Sequence, residues 1–200
     1  IPFARITLVA TVNTAAALRT GGFIGSASTS PVMEVQARQA TNISTSTAVY
    51  IGFADYAAAS TALEFRPKNG IYFTASSTVN NWIATVVKNN AVTQVDTGVA
   101  STSTGTPFQR FRIETSSTTI LYLINGKVVA TIDSTASSNI PNSNLAAIVS
   151  IANATGTPLA HTLDVSFLRV WADDPPGGEY APLGEDVAPQ FDPVQGADIA

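Results

Sequence analysis

The sequence predicts an all-β protein, an antiparallel two-sheet β-sandwich with under about a tenth of its residues in helix. Three observations predict it. Eleven segments are short, rich in β-branched and aromatic residues, and bounded by turn formers. The breaks between them (RTGG, FRPKNG, KNNA, STSTGTP, ING, SNIPNSN, NATGTP) are dominated by Gly, Pro, Asn, Ser and Thr. No segment carries a sustained amphipathic helical period, and TAAALRT reads as at most one helical turn. Many short strands without crossover helices imply two packed sheets.

In chain order the strands are FARITLVAT, PVMEVQARQA, TAVYIGFAD, GIYFTA, WIATVVK, VTQVDTG, FQRFRIET, TILYLI, KVVATI, LAAIVSIAN and HTLDVSFLRVWA. Some alternate cleanly. In FQRFRIE, Phe111 and Ile113 point one way while Arg110, Arg112 and Glu114 point the other, so one face is wet. TILYLI does not alternate: Ile120, Tyr122 and Ile124 take one face, Leu121 and Leu123 the other. A strand apolar on both faces should be covered on both, the outer one by a loop, a terminus or another subunit. Asn125-Gly126 then joins it to KVVATI in a two-residue hairpin turn, because this pair tolerates φ > 0 at both central positions.

Composition narrows the classes. Apolar residues are 45% of the chain and charged residues 12%, which supports a sizeable core under a surface poor in charge. A net charge of −4 without a basic run speaks against nucleic acid as a partner. The absence of cysteine excludes disulfides, thiolate catalysis and Cys-based zinc sites. No apolar run reaches the roughly 18 residues of a membrane span, so no membrane insertion is expected. No signal peptide is recognised. The chain opens IPFARITL without methionine, which reads as a processed product or part of a longer protein.

Three regions follow: an N-terminal strand or arm over 1–31 that can join the sandwich, the β-sandwich over 32–173, and an acidic Pro/Gly-rich arm over 174–200. By itself the arm's composition predicts an extended, disordered segment. Tyr180, Leu183, Val187 and Phe191 recur at three- or four-residue steps and are its candidate anchors. They could dock on the chain's own sandwich or, as a subunit-contact arm, on a neighbouring copy.

The ordered series VYIGFAD, ALEFRPKNGIYF, NWIATVVKNNAVTQVDTGVA, FQRFRIE, LYLINGKVVATI and HTLDVSFLRVWAD resembles the concanavalin A-like (laminin G-like) jelly-roll domains of phage virion structural proteins. The resemblance spans about Val32 to Asp173. It implies two antiparallel sheets, with the last strand returning to pair near the first. It also implies a virion setting: a capsid decoration (cement) protein or fibre subunit, on the capsid surface or in a fibre, contacting the major capsid protein or neighbouring copies, with a homotrimer as the favoured state.

Candidate chemistry is sparse. Some concanavalin A-like folds are glycanases, and glycoside hydrolysis needs two carboxylates flanking the scissile bond. The acids of the sandwich are Glu34, Asp55, Glu64, Asp96, Glu114, Asp133, Asp164 and Asp173, and no strand carries them in a Glu-x-Asp pattern. Each reads as a solvated strand or turn residue. His161, the single histidine, reads as a solvated or capping residue; alone it makes neither a triad nor a His-based metal site. Asp96 should make a side-chain turn with Thr97-Gly98. Asp55 and Asp96 are candidate calcium ligands, but no Asp/Asn-dense loop supplies the six to eight oxygens calcium takes. Trp82 with Asn80 and Asn81 forms a candidate glycan-contact edge; the competing reading makes Trp82 a core residue. The expectation is therefore a non-enzymatic virion structural protein without metal or cofactor. A carbohydrate-binding adhesin, with a surface glycan as partner, is the alternative, and a glycan hydrolase is disfavoured.

Overall fold

The computed structural model describes residues 3–8, 10, 14–19, 30–40, 47–55, 67–76, 79–101, 107–133, 140–141, 143–153 and 160–172. Among them are twelve strands: β1 (Ala4–Leu8), β2 (Thr14–Arg19), β3 (Pro31–Gln39), β4 (Thr47–Ala54), β5 (Gly70–Ser76), β6 (Val79–Lys88), β7 (Ala91–Ala100), β8 (Gln109–Thr115), β9 (Thr119–Ile124), β10 (Lys127–Asp133), β11 (Ala146–Asn153) and β12 (His161–Ala172). They form two six-stranded antiparallel sheets. The first has the order β1-β12-β3-β8-β9-β10, the second β2-β11-β4-β5-β6-β7.

Eleven of these strands answer to the eleven segments above. The twelfth, β2, corrects the helical reading of TAAALRT. Its alanines favour helix when isolated, but its backbone pairs with β11 from Thr14↔Asn153 to Arg19↔Ile148. That ladder outweighs a weak local propensity. The N-terminal segment thus contributes the outermost strand of each sheet, β1 against β12 and β2 against β11. The last strand, β12, lies between β1 and β3.

Alternation puts one face of every strand into a common core. Met33, Val35 and Ala37 of β3, Phe111 and Ile113 of β8, and Ile120, Tyr122 and Ile124 of β9 meet Ile51 and Phe53 of β4 and Ile71 and Phe73 of β5. Aromatic edges cross between the sheets: Phe73 meets Tyr122 at 5.1 Å and Phe111 at 5.3 Å, and Trp82 meets Phe111 at 4.7 Å. Two polar handles tie the sheets together. The Tyr122 hydroxyl donates to the Thr85 carbonyl at 2.7 Å, and the Trp82 indole N–H donates to Gln109 Oε1 at 3.0 Å. Full burial pushes the Tyr122 hydroxyl well above its ordinary pKa, with the charge of Tyr72 adding to the shift, so it stays a donor.

Turns follow their residues. Asn125 and Gly126 both take positive φ, 53° and 79°, and join β9 to β10. Asn125 is held further: its N–H donates to the Arg110 carbonyl at 2.7 Å and its Oδ1 accepts from the Arg110 N–H at 2.9 Å. Asn89 and Asn90, also at positive φ, turn β6 into β7. The second face of TILYLI has a local explanation. Leu121 and Leu123 are half-buried opposite Glu114 and Arg112 of β8, and Val128 of β10 flanks Leu123. The long side chains of β8 shield them.

The outer face of the second sheet is unlike a wet strand face. Tyr50, Ala54, Tyr72, Val87, Ile148 and Ala152 form a second, separate cluster, none more than 9% exposed. Tyr50 and Tyr72 meet edge to face at 5.3 Å. Tyr72 is paired with Gly52, and its ring crosses the place where a side chain on Gly70 would stand.

Candidate functional site

The outer face of the first sheet carries the densest chemistry among the described residues. Alternation brings Glu34 and Arg38 of β3, Arg110, Arg112 and Glu114 of β8, Asp164, Arg169 and Trp171 of β12, and Arg5 of β1 to one surface. Antiparallel register sets them in cross-strand rows. Arg5, Asp164 and Arg38 lie side by side, and so do Arg169, Glu34 and Arg112.

Each buried carboxylate takes two arginines. Asp164 accepts from Arg5 Nε at 2.7 Å, Arg5 Nη2 at 3.1 Å and Arg38 Nε at 3.0 Å. Glu34 accepts from Arg110 Nε and faces Arg169 Nε at 3.3 Å. Arg112 Nε lies 2.7 Å from Glu114 Oε1 without hydrogen-bond geometry, a charge contact. The carboxylates are closed to solvent, Asp164 at 0% and Glu34 at 2% exposure, while their arginines stay partly exposed. The acids are thus roofed by arginine side chains rather than set deep in the core.

The Arg5 hydrogen bond is the largest influence on Asp164 and lowers its pKa. Burial opposes it, and the Arg38 hydrogen bond and both guanidinium charges restore the lowering. The same pairing raises Arg5, as Glu34 raises Arg110. A carboxylate lowered by folding stabilises the fold above its unfolded value of about 3.9 and loses that contribution as pH falls through the lower folded value. Asp164→Asn is therefore expected to cost about 1–2 kcal/mol at neutral pH, discounted for arginines that reach solvent. Urea midpoints of variant and parent should draw together as pH falls below the unfolded carboxylate value of about 3.9 towards the lower folded one. A difference that stays constant as pH falls below that value would show that the carboxylate charge is not its source.

Aromatic rings complete the face. The Arg38 guanidinium stacks over Phe108 at 4.6 Å and Phe3 at 5.6 Å, Arg5 over Phe3 at 5.5 Å, Arg169 over Phe167 at 4.9 Å, and Arg112 over Trp171 at 5.4 Å. Phe3 is 43% exposed. A cavity of about 350 Å³, lined by Phe3, Leu18, Ser166 and Phe167 among others, flanks this edge beside the β12 irregularity between Val165 and Phe167.

The expected site residues fall elsewhere. Trp82 is 2% exposed and faces the core, so its ring is not presented to a ligand. Asn81 Nδ2 donates to both Asp96 oxygens, at 2.9 and 3.1 Å. The side chain of Asn80 lies outside the described residues, as do Tyr180, Leu183, Val187 and Phe191 and the whole 174–200 arm. Asp96 accepts from the Gly98 N–H at 2.8 Å, the side-chain turn its sequence suggests. Asp55 accepts from the backbone and side-chain nitrogens of Asn69, at 2.8 and 2.6 Å. No group of three or more metal-ligating side chains occurs among the described residues. His161 opens β12 but is 1% exposed, which corrects the solvated reading.

No family model and no curated protein matches the sequence. Solved structures do match in fold. One comes from work on endo-acting O-glycanases of human gut microbiota that initiate mucin breakdown: 11% identity, TM-score 0.62, covering 86% of this chain and 80% of that one. A β-1,3-1,4-glucanase (lichenase) from a mouse hindgut metagenome has 13% identity and a TM-score of 0.58, with coverage of 82% and 77%. The Bacillus licheniformis β-glucanase has 12% identity and a TM-score of 0.54, with coverage of 84% and 78%.

These likenesses bear out the concanavalin A-like jelly roll. They correct the expectation of a non-enzymatic virion structural protein, because the similar structures are carbohydrate-active enzymes and none of those named is a phage protein. The sequence criterion against catalysis has a physical blind spot. It seeks two acids on one strand, whereas sheet pairing brings Glu34 and Asp164 to one face from strands 130 residues apart. At this level of identity, what the chain shares with these glycosidases is the two-sheet jelly-roll fold.

Proposed function

We propose that the chain is a carbohydrate-active β-sandwich that engages a polysaccharide across the outer face of the β1-β12-β3-β8-β9-β10 sheet. One observation carries this reading. Among the described residues, that face combines partly exposed guanidiniums, two buried carboxylates with their arginine partners and four aromatic rings, while the outer face of the other sheet is a buried apolar cluster. Sugars present hydroxyls to charged hydrogen-bonding groups and C–H faces to rings, and such sites pair aromatic side chains with a few fixed polar groups. The fold likeness to glycanases supports the same reading.

Glu34 and Asp164 are closed to solvent and stand four positions apart in the β3–β12 register, roughly 13 Å along the strands, so they hold the arginines in place rather than flank a scissile bond at the roughly 5–9.5 Å that glycosidases use. The test offers mucin, laminarin and β-1,3-1,4-glucan together with acidic polysaccharides, reading gel retardation and released reducing ends. Trp171→Ala is expected to weaken retention roughly tenfold without lowering thermal stability by more than a few degrees. Reducing ends released by the parent would show cleavage as well as binding. Retention by no polysaccharide would sink the proposal.

A further inference from the structure

We infer that the polysaccharide this face takes is anionic, a polyuronate whose carboxylates are held by the outward edges of the arginines. The inference rests on the carbohydrate reading above and names its substrate class.

Charge supplies the first support. Among the described residues, five arginines stand on this face against four carboxylates, Glu34, Glu114 and Asp164 on the central strands and Asp133 on the edge strand β10. Two arginines on each buried carboxylate leave a surplus of one positive charge, on a protein whose net charge is −4.

Geometry supplies the second. Arg38, Arg110, Arg112 and Arg169 meet their carboxylates through Nε, so each leaves its Nη1 edge outside the pair. The five side chains are 33 to 61% exposed, so those edges are within a ligand's reach. Arg5 shows which ligand geometry fits: Nε and Nη2 together grip the two oxygens of a carboxylate, at 2.7 and 3.1 Å.

Preorganisation supplies the third. Arg5, Arg38, Arg110 and Arg169 are anchored from beneath by buried carboxylates, and rings clamp the planes of Arg5, Arg38, Arg112 and Arg169. Less side-chain entropy is then lost when a ligand binds. Side chains two residues apart on a strand repeat at about 7 Å, the spacing of Arg110 and Arg112 on β8. A polymer with one carboxylate per sugar presents regularly spaced anions to match.

The test uses the full chain, with polygalacturonate, neutral laminarin, chondroitin sulfate and single-stranded DNA as probes, at two salt concentrations. Polygalacturonate is expected to bind at least about tenfold tighter than laminarin, and to weaken as salt rises. Arg112→Gln with Arg169→Gln should weaken it about tenfold or more while leaving Glu34 its Arg110 partner. The corresponding lysine pair, which keeps charge but lacks the fork, should fall between. Lys68→Gln with Lys88→Gln, the same charge change away from this face, should leave binding unchanged. Thermal melts verify that each variant is folded, and the lysine pair keeps the test open should the glutamine pair fail to fold.

If laminarin binds as tightly as polygalacturonate, the inference is wrong and the carbohydrate reading stands. If no polysaccharide binds, both are wrong. Tighter binding of chondroitin sulfate or DNA, or equal loss in the Lys68/Lys88 control, overturns the polyuronate assignment. So does full binding that appears only when the seven-acid 173–200 segment is neutralised to Asn and Gln, since that segment would then be the natural occupant of the face.

Discussion

Gly52→Ala is expected to destabilise the protein by about 3 kcal/mol or more. Gly52 sits in β4, in the middle of its sheet, between Ile148 of β11 and Tyr72 of β5. A Cβ there would stand 2.2 Å from the Ile71 carbonyl oxygen, 2.5 Å from Tyr72 Cα and 2.7 Å from Tyr72 Cβ. Two of these three atoms are backbone, so no rotamer change relieves the clash. The β4–β5 ladder must open, and the Tyr50–Tyr72 cluster on its outer surface with it. Gly98→Ala is the control. It meets nothing within 4 Å, so its cost is only that of its positive φ, about 1 kcal/mol. Urea unfolding of both variants measures the contrast, and a Gly52→Ala loss no greater than that of Gly98→Ala would show that the strands are not so close.

Trp82→Ala should cost about 3–5 kcal/mol, lowering the melting temperature by roughly 10 °C. The indole is 2% exposed, packs edge-on against Phe111 and hydrogen-bonds Gln109 on the opposite sheet. Its removal leaves a cavity between the sheets and unties one of the two polar handles across the core. Trp82→Phe should cost less, about 1–2 kcal/mol, because most of the volume is kept and one hydrogen bond is lost. Polysaccharide retention by folded Trp82→Phe should match the parent. A variant that melts like the parent but no longer retains polysaccharide would return Trp82 to the surface as a ligand contact.

Both residues show how a local pattern can be read correctly while its setting stays hidden. NWIATVV announces a strand, and β6 contains it, yet the two faces of a strand look alike until a partner sheet covers one of them. Trp82 shares its face with Ala84 and Val86, so the core claimed it. Gly52 lies inside VYIGFAD, where the apolar period marks a strand but says nothing of the Tyr72 main chain closing over the glycine. TAAALRT carries a helical propensity that a neighbouring strand's free edge overrode.

What the sequence determined by itself is whatever acts over a few residues. Asn125-Gly126 selects its turn because only such residues take positive φ cheaply at both positions. Asp96 folds back on Gly98 two residues on. Alternation in FQRFRIE sends Arg110, Arg112 and Glu114 outward together and Phe111 and Ile113 inward. Only the tertiary structure decided what those outward side chains meet. Arg110 reaches Glu34 across 76 positions and Arg38 reaches Asp164 across 126. Their meeting depends on β3 lying between β12 and β8, an order set by how the two sheets bury the most apolar surface. The period of a single strand states which side faces solvent; it does not state which strand lies beside it, and the charged face is built from that adjacency.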